Sequence, residues 1–134
     1  MPLLGDIYYT HSAHAAVAGR PPLVLLHGAG GSHLDWPGQL RRLPGESVYD
    51  LDLPGHGKSG GVGRQSVADY ADAVIAWLDA AHLDRVVPVG HSMGGAIALS
   101  VALAADARRT REIDREQDRI DEEHRLEALA VFDT

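Results

Sequence analysis

The sequence contains no cysteine, which excludes disulfide bonds and any reaction that depends on a thiolate. Aromatic residues are also scarce, with two Trp, four Tyr and one Phe in 134 residues, so aliphatic side chains have to build the core. No apolar run reaches the length of a membrane span, and the first residues lack a basic segment followed by an apolar run. From these absences we expect a cytoplasmic protein that does not bind a membrane.

Basic residues are also fewer than acidic ones, with 12 Lys and Arg against 19 Asp and Glu. The formal net charge is −7, which argues against a nucleic-acid-binding surface. The hydrophobic fraction of 45% is typical of a globular protein, and a chain of this length buries roughly two-thirds of its unfolded surface. We therefore expect residues 1–134 to form a single domain with a real core.

Glycine and proline are missing from residues 96–134, so this part of the chain has no obvious helix stop. Residues 106–127 hold six arginines and nine acidic residues, and Arg111, Arg115 and Arg119 follow one another at helical spacing. This pattern predicts a long charged C-terminal helix. A helix over residues 93–127 would be about 50 Å long, so we expect either a break near residues 105–109 or an overhang. Residues 126–133 are predicted as a last strand or a last helical turn.

The strongest chemical signal lies in residues 86–99, where an apolar run leads into Gly-His-Ser-Met-Gly and a small-residue run leads out. The pattern G-x-S-x-G between a strand and a helix is a nucleophile elbow. It places the hydroxyl of Ser92 at a helix N-terminus, and the strained turn explains glycine at positions 90 and 94. An ordinary turn with a buried serine is the alternative interpretation.

The remaining elements alternate along the chain. Strands are predicted at residues 7–10, 23–26 and 47–52, a short helix at 35–43, and an amphipathic helix that begins at Ser66 and ends near Ala81. This alternation predicts an α/β fold with a mostly parallel sheet and helical crossovers. The loops after His27, Asp52 and Ser92 should then meet at the carboxyl ends of the strands.

Three motifs carry a family resemblance: residues 25–32 (Leu-Leu-His-Gly-Ala-Gly-Gly-Ser), 52–59 (Asp-Leu-Pro-Gly-His-Gly-Lys-Ser) and 90–95 (Gly-His-Ser-Met-Gly-Gly). In this order and spacing, residues 5–105 resemble the α/β-hydrolase family of small esterases, lactonases and haloperoxidase-like enzymes. The resemblance implies that Ser92 is the nucleophile and that the N–H groups of Met93 and Ala29 form the oxyanion hole. It further implies an ester or lactone substrate and neither a metal ion nor a cofactor, with His27 and His91 structural or pocket-lining.

The chain departs from the family where the triad should be completed. The family order is Ser, then an acid, then His, yet His124 is the only histidine after Ser92. The base is therefore open between His124, His56 and a residue of another chain, although His56 also fits a turn histidine bonded to local backbone. A truncated α/β-hydrolase fold is the expected architecture.

Two functions remain open on this sequence. One is a serine hydrolase with an incomplete triad. The other is a catalytically inactive or truncated hydrolase-like domain that serves as a binding or self-association module. Self-association is expected through the edge of the last strand, because an open apolar edge pairs readily with a second chain, or through the charged helix.

Overall fold

The computed structural model describes residues 3–116 and 131–133. In this part of the chain the strands are β1 (Leu3–Leu4), β2 (Ile7–Ser12), β3 (Leu23–Leu26), β4 (Val48–Leu51), β5 (Val87–His91) and β6 (Val131–Asp133). A 3-10 turn covers His33–Asp35, and the α-helices are α1 (Gly38–Arg41), α2 (Val67–Ala80) and α3 (Met93–Glu116). None of the helices described is long and apolar enough to cross a bilayer.

The strands form one sheet in the order β1-β2-β4-β3-β5-β6. Strand β3 lies in its centre and pairs in parallel with both β4 and β5, while β6 continues the parallel part beyond β5. Strands β1 and β2 add an antiparallel edge next to β4. The predicted α/β class with a mostly parallel sheet is confirmed.

Alternation along the central strands directs side chains to two cores. Val24 and Leu26 face the larger core, which is covered by α2 and α3. Leu25 faces the smaller core, where Trp36 and Val48 are buried and Leu40 and Leu43 pack against them. Continuous apolar runs such as residues 23–26 are typical of strands that are covered on both faces.

Helix α2 begins where the sequence places its cap. The side chain of Ser66 accepts a hydrogen bond from the N–H of Asp69 at 3.1 Å, which satisfies one of the free donors of the first turn. The helix then buries one stripe against the sheet, made of Tyr70, Ala71, Val74, Trp77 and Leu78. An amphipathic helix on one sheet face is therefore confirmed.

Helix α3 is continuous from Met93 to Glu116, so the expected break near residues 105–109 is wrong. The rest of the predicted charged helix, residues 117–127, and its histidine His124 lie outside the described residues, as do residues 126–130 of the predicted last element. A strand is present at Val131–Asp133, where it pairs in parallel with β5.

The connections that follow β3 and β5 run over opposite faces of the sheet. Strand β3 leads to α1, which packs on the face of the smaller core, and β5 leads to α3 on the face of the larger core. Where neighbouring parallel strands send their connections to opposite faces, a crevice opens at their carboxyl ends, and ligands bind there. This topology places a candidate site between the ends of β3 and β5.

Candidate active site at the ends of β3 and β5

Ser92 lies between β5 and α3 in a conformation that few serines adopt. Its φ is +57°, in the left-handed region that costs an L residue about 1–2 kcal/mol. The residue is exposed, so the alternative of a buried serine is wrong. Its carbonyl accepts hydrogen bonds from the N–H groups of Gly95 (2.9 Å) and Ala96 (3.4 Å). The result is a strand–turn–helix elbow with an exposed serine at its tip.

Close backbone approach explains the glycines on either side of the elbow. A Cβ atom on Gly94 would overlap the carbonyl oxygen of Leu26 and lie 2.6 Å from that of His27. A Cβ atom on Gly90 would overlap the carbonyl of Gly94 itself. Helix α3 therefore starts directly against the end of β3, which is possible only because these two residues have no side chain.

The loop after β3 reaches the same elbow. A Cβ atom on Gly28 would lie 3.5 Å from the Cβ atom of Ser92. Ala29 follows Gly28 directly and is exposed. Within residues 3–107, no hydrogen bond joins the N–H of Ala29 or of Met93 to another group. One unbonded donor therefore follows Ser92 directly in the chain, and the other follows Gly28, the residue that lies beside Ser92 in space.

His27 connects this loop to the loop after β4. It is fully buried, and its Nε2 accepts the N–H of Leu53 at 3.0 Å. The ring proton is therefore on Nδ1, which donates to the carbonyl of Gly28 at 2.7 Å. Burial lowers the pKa of His27, so the ring stays neutral. Both ring nitrogens of His27 are thus bonded to backbone groups, which favours the structural role among the two, structural or pocket-lining, that the resemblance implies.

His56 makes the corresponding connection from the other loop. Its Nε2 accepts the N–H of Gly30 at 3.1 Å, and its Nδ1 donates to the carbonyl of Pro54 at 3.1 Å. Both ring nitrogens are therefore occupied by backbone groups. The interpretation of His56 as a turn histidine bonded to nearby backbone is confirmed, and the ring has no nitrogen left to act as a base on Ser92.

Asp52 is a second buried link between the two loops. Its carboxylate accepts hydrogen bonds from the N–H of His33 (2.6 Å), the Nδ1 of His33 (2.9 Å) and the N–H of Lys58 (2.8 Å). Burial alone would raise the pKa of Asp52, but these hydrogen bonds outweigh it and lower the pKa. An ionised carboxylate therefore joins the segment after β3 to the loop after β4.

A further buried carboxyl, Asp50, lies on the face of the smaller core. Its Oδ2 is 3.2 Å from the Nε of Arg41, and within the described residues neither carboxyl oxygen has a hydrogen-bond partner. Burial raises the pKa of Asp50 to about 8, although Arg41 acts in the opposite direction. The side chain of Asp50 lies on the opposite face of the sheet from that of Leu51, the next residue of β4, which belongs to the larger core.

The sequence predicts the elbow and the loops but not the hydrogen bonds that join the loops. The three loops do gather at one rim, as predicted. The sequence analysis does not predict the buried Asp52–His33 pair, although an Asp directly before a glycine-rich loop is a pattern that indicates a carboxylate bonded to loop N–H groups. In the part of the chain described, no imidazole is hydrogen-bonded to Ser92, and no three metal-binding side chains cluster.

A family model described as the alpha/beta hydrolase family matches residues 23–132. The chain belongs to the alpha/beta hydrolase family. The match begins at β3 and ends in β6, so it includes all three loops of the rim. The family resemblance carried by the sequence motifs is thereby confirmed.

Relatives within this family include esterases and lactonases. Over 92 residues, the chain is 41% identical to the dihydrolipoyllysine-residue acetyltransferase component of the acetoin cleaving system of Pseudomonas putida, covering 67% of this chain and 25% of that relative. It is 39% identical over 92 residues to a pimeloyl-[acyl-carrier protein] methyl ester esterase of Pectobacterium carotovorum, covering 68% and 34%.

Among solved structures, an N-acyl homoserine lactonase complexed with N-butanoyl homoserine matches with a TM-score of 0.63 and 28% identity, covering 74% of this chain and 37% of the lactonase. The chain thus spans between a quarter and about a third of the length of these curated relatives.

Proposed function

We propose that this chain carries the nucleophile and the oxyanion site of a serine hydrolase that acts on carboxylic esters or lactones. The observation that carries the proposal is the exposed Ser92 at φ +57°, in the crevice between β3 and β5. The names of two relatives support the substrate class, since one is an esterase of a methyl ester and the other a lactonase.

In this proposal the Oγ of Ser92 attacks the substrate carbonyl carbon while its proton passes to an imidazole, which we assign to His124. The tetrahedral intermediate then collapses, the C–O bond of the ester breaks, and the imidazolium returns the proton to the alcohol that leaves. In the second half of the reaction, the imidazole takes a proton from a water molecule, whose oxygen attacks the acyl carbon. The bond to the Oγ of Ser92 then breaks, the imidazolium returns the proton to Oγ, and the acid is released. A histidine of a second chain is the alternative source of the base.

The charge on the intermediate would be held by the N–H groups of Ala29 and Met93. Both are free of other hydrogen bonds within residues 3–107, so both are available to an oxyanion. One such donor is typically worth about 10²–10³ in rate. The N-terminus of α3 adds a positive field at the same place.

Hydrolysis of short p-nitrophenyl esters and of an N-acyl homoserine lactone tests the proposal. Ser92→Ala should remove the activity, and Ser100→Ala, a matched change inside α3, should leave it intact. A fluorophosphonate that labels a serine should be found on the peptide that contains Ser92. Equal rates for the wild type and Ser92→Ala would reject the nucleophile.

The base is tested separately with His124→Ala. If His124 accepts the proton from Ser92, this variant should lose activity by several orders of magnitude, as expected for a triad without its base. Full activity of His124→Ala would assign the base to another histidine.

A second candidate function is that of a hydrolase-like module that binds or self-associates without turnover. Three observations favour it. No imidazole is bonded to Ser92 in the part of the chain described, and α3 exposes Leu99 (44%) and Leu103 (61%) one turn apart. In the part of the sheet that the structure describes, strand β6 also forms one edge. An active wild-type chain in the ester assay would reject this candidate.

A further inference from the structure

The two histidines at the rim use their ring nitrogens in the same way. Each donates its Nδ1 proton to a carbonyl of its own loop and accepts, at Nε2, an N–H of the other loop. The accepted N–H groups belong to Leu53 for His27 and to Gly30 for His56. The ring centroids are 5.0 Å apart. The loops after β3 and β4 are therefore joined by a reciprocal pair of hydrogen bonds.

These bonds act on the two peptide groups on either side of Ala29. The carbonyl of Gly28 and the N–H of Ala29 belong to one planar trans peptide, so a hydrogen bond to that carbonyl also orients the N–H on its far side. His27 makes this bond. The next peptide group ends in the N–H of Gly30, which His56 accepts. Both peptide planes around Ala29 are thus held by imidazole rings.

We propose that His27 and His56 are positioning residues that orient the N–H of Ala29 beside Ser92, and that a second proton on His56 releases the peptide between Ala29 and Gly30. The effect on catalysis rests on the function proposed above. The arrangement of the loops does not, and it can be tested in the absence of any activity.

Protonation acts on this arrangement through the loss of an acceptor. An imidazolium ring has two N–H donors and no acceptor, so a doubly protonated His56 would set an N–H against the N–H of Gly30. His56 is partly exposed, whereas His27 is fully buried and burial lowers its pKa. Of the two rings, only that of His56 is therefore accessible to solvent, while burial keeps His27 neutral.

Among the described residues, the rings that contact His56 are that of His27 and, from α2, that of Tyr70, whose centroid is 6.0 Å away. Asp52 and Asp35 act electrostatically on His27, and the two ring nitrogens of His56 are hydrogen-bonded to Gly30 and Pro54. Lys58, two residues further along, directs its backbone N–H to Asp52. The switch therefore depends on His56 itself.

Nuclear magnetic resonance of the full chain tests the proposal directly. Long-range 1H–15N spectra at about pH 8 should show both neutral rings with the proton on Nδ1. Between about pH 8 and pH 5, the range in which histidines change charge, the amide signals of Ala29 and Gly30 should shift together with the ring of His56. A proton on Nε2 of His56, or an amide of Gly30 that does not follow the ring, would overturn the proposal.

His56→Gln provides the matched variant, because an amide oxygen can accept the N–H of Gly30 at every pH. Its Gly30 signal should no longer titrate, while His14→Gln, a change of an exposed histidine, should leave the titration as it is in the wild type. If the Gly30 signal still titrates in His56→Gln, then another group controls it and the proposal is wrong.

An activity measurement adds the consequence for catalysis. His56→Leu should lower kcat by about 10- to 100-fold with little change in KM, less than the loss of a whole oxyanion donor, and His56→Gln should restore most of that kcat. Equal kcat values for His56→Leu and the wild type would contradict the positioning role. A wild type without esterase activity but with the expected tautomers would reject the proposed function and leave the loop arrangement standing.

Discussion

Ser92 holds a backbone conformation that glycine adopts freely and serine does not. At Gly90 and Gly94 the backbone of the elbow is packed so closely that the turn cannot relax. This packing holds the φ of Ser92 at +57°. Presenting the hydroxyl to solvent in this conformation thus lowers the stability by about 1–2 kcal/mol. Removing the side chain altogether should recover that free energy.

Ser92→Gly should therefore be more stable than Ser92→Ala by about 1 kcal/mol, because both lack the hydroxyl and only the alanine keeps a Cβ in the left-handed region. Urea denaturation of the two variants measures the difference. The same pair at Ser100, inside α3, should show the opposite order, since glycine is less stable than alanine in a helix by about 0.5–1 kcal/mol. Equal stabilities of the Ser92 pair would show that the turn is unstrained.

Asp50 predicts a pH dependence opposite in sign to that of a carboxylate whose pKa is lowered by hydrogen bonds, such as Asp52. Its pKa in the folded protein is raised to about 8, so the folded state keeps a proton that the unfolded chain releases near pH 4. Between these values the folded state binds more protons, and its stability falls as the pH rises. Asp50→Asn should remove this loss.

The stability gained by Asp50→Asn over the wild type should accordingly grow between about pH 4 and pH 8, with a slope of at most about 1.4 kcal/mol per pH unit. Urea titrations at several pH values measure it. Asp72→Asn, a change of an exposed residue on α2, is the control and should show no such trend. A difference between Asp50→Asn and the wild type that is constant with pH would contradict the raised pKa.

At the scale of elements, the first turn of α3 and the end of β3 form the closest backbone contact of the site. Gly94 lies against the carbonyl oxygens of Leu26 and His27. Because this contact fixes the helix relative to the loop that carries Ala29, it sets the distance between the two halves of the site. Its sensitivity to one methyl group can be measured.

Gly94→Ala should destabilise the fold by about 1–3 kcal/mol or more, because the new Cβ meets rigid backbone and α3 must move away from β3. Thermal or urea unfolding gives the value. Gly38→Ala is the matched control, since its Cβ would meet only the end of the Arg42 side chain, which can rotate away. If Gly94→Ala leaves the free energy of unfolding unchanged, the start of α3 has room for a methyl group.

The sequence predicts elements well where one local pattern decides them. The apolar run of residues 23–26, the cap at Ser66 and the G-x-S-x-G turn each carry their own signal. The sequence does not predict Arg41 as the partner of Asp50, nor Gly30 as the donor to His56, because these pairs form only when segments distant in the chain meet. It also leaves open whether α3 breaks near residues 105–109 or continues, because a charged run without glycine or proline carries no local signal that decides between them.

At the scale of the whole molecule, the sheet ends in strands that are paired on one side. Among the described residues, β6 pairs only with β5, and β1 only with β2. An edge with free backbone donors and acceptors is a place where a second chain can add a strand. We propose self-association through β6.

This proposal predicts an average mass above that of one chain at high concentration, which falls on dilution, in size-exclusion chromatography with light scattering. Val131→Pro should shift the protein toward the monomer, because proline cannot donate a ladder hydrogen bond. Leu103→Glu, which changes the exposed face of α3 instead, should leave the association in place. A monomer at every concentration would reject the proposal.

Strand β3 occupies the middle of the sheet but lies near the start of the chain. One of its neighbours begins at Val48 and the other at Val87, so its pairing is completed only when distant segments come together. The entropy of closing these loops is lost before any contact compensates for it, which makes such folds slow to form. During synthesis, residues 23–26 therefore leave the ribosome before either partner strand, and the central pairing of the sheet is completed only after β5 has emerged.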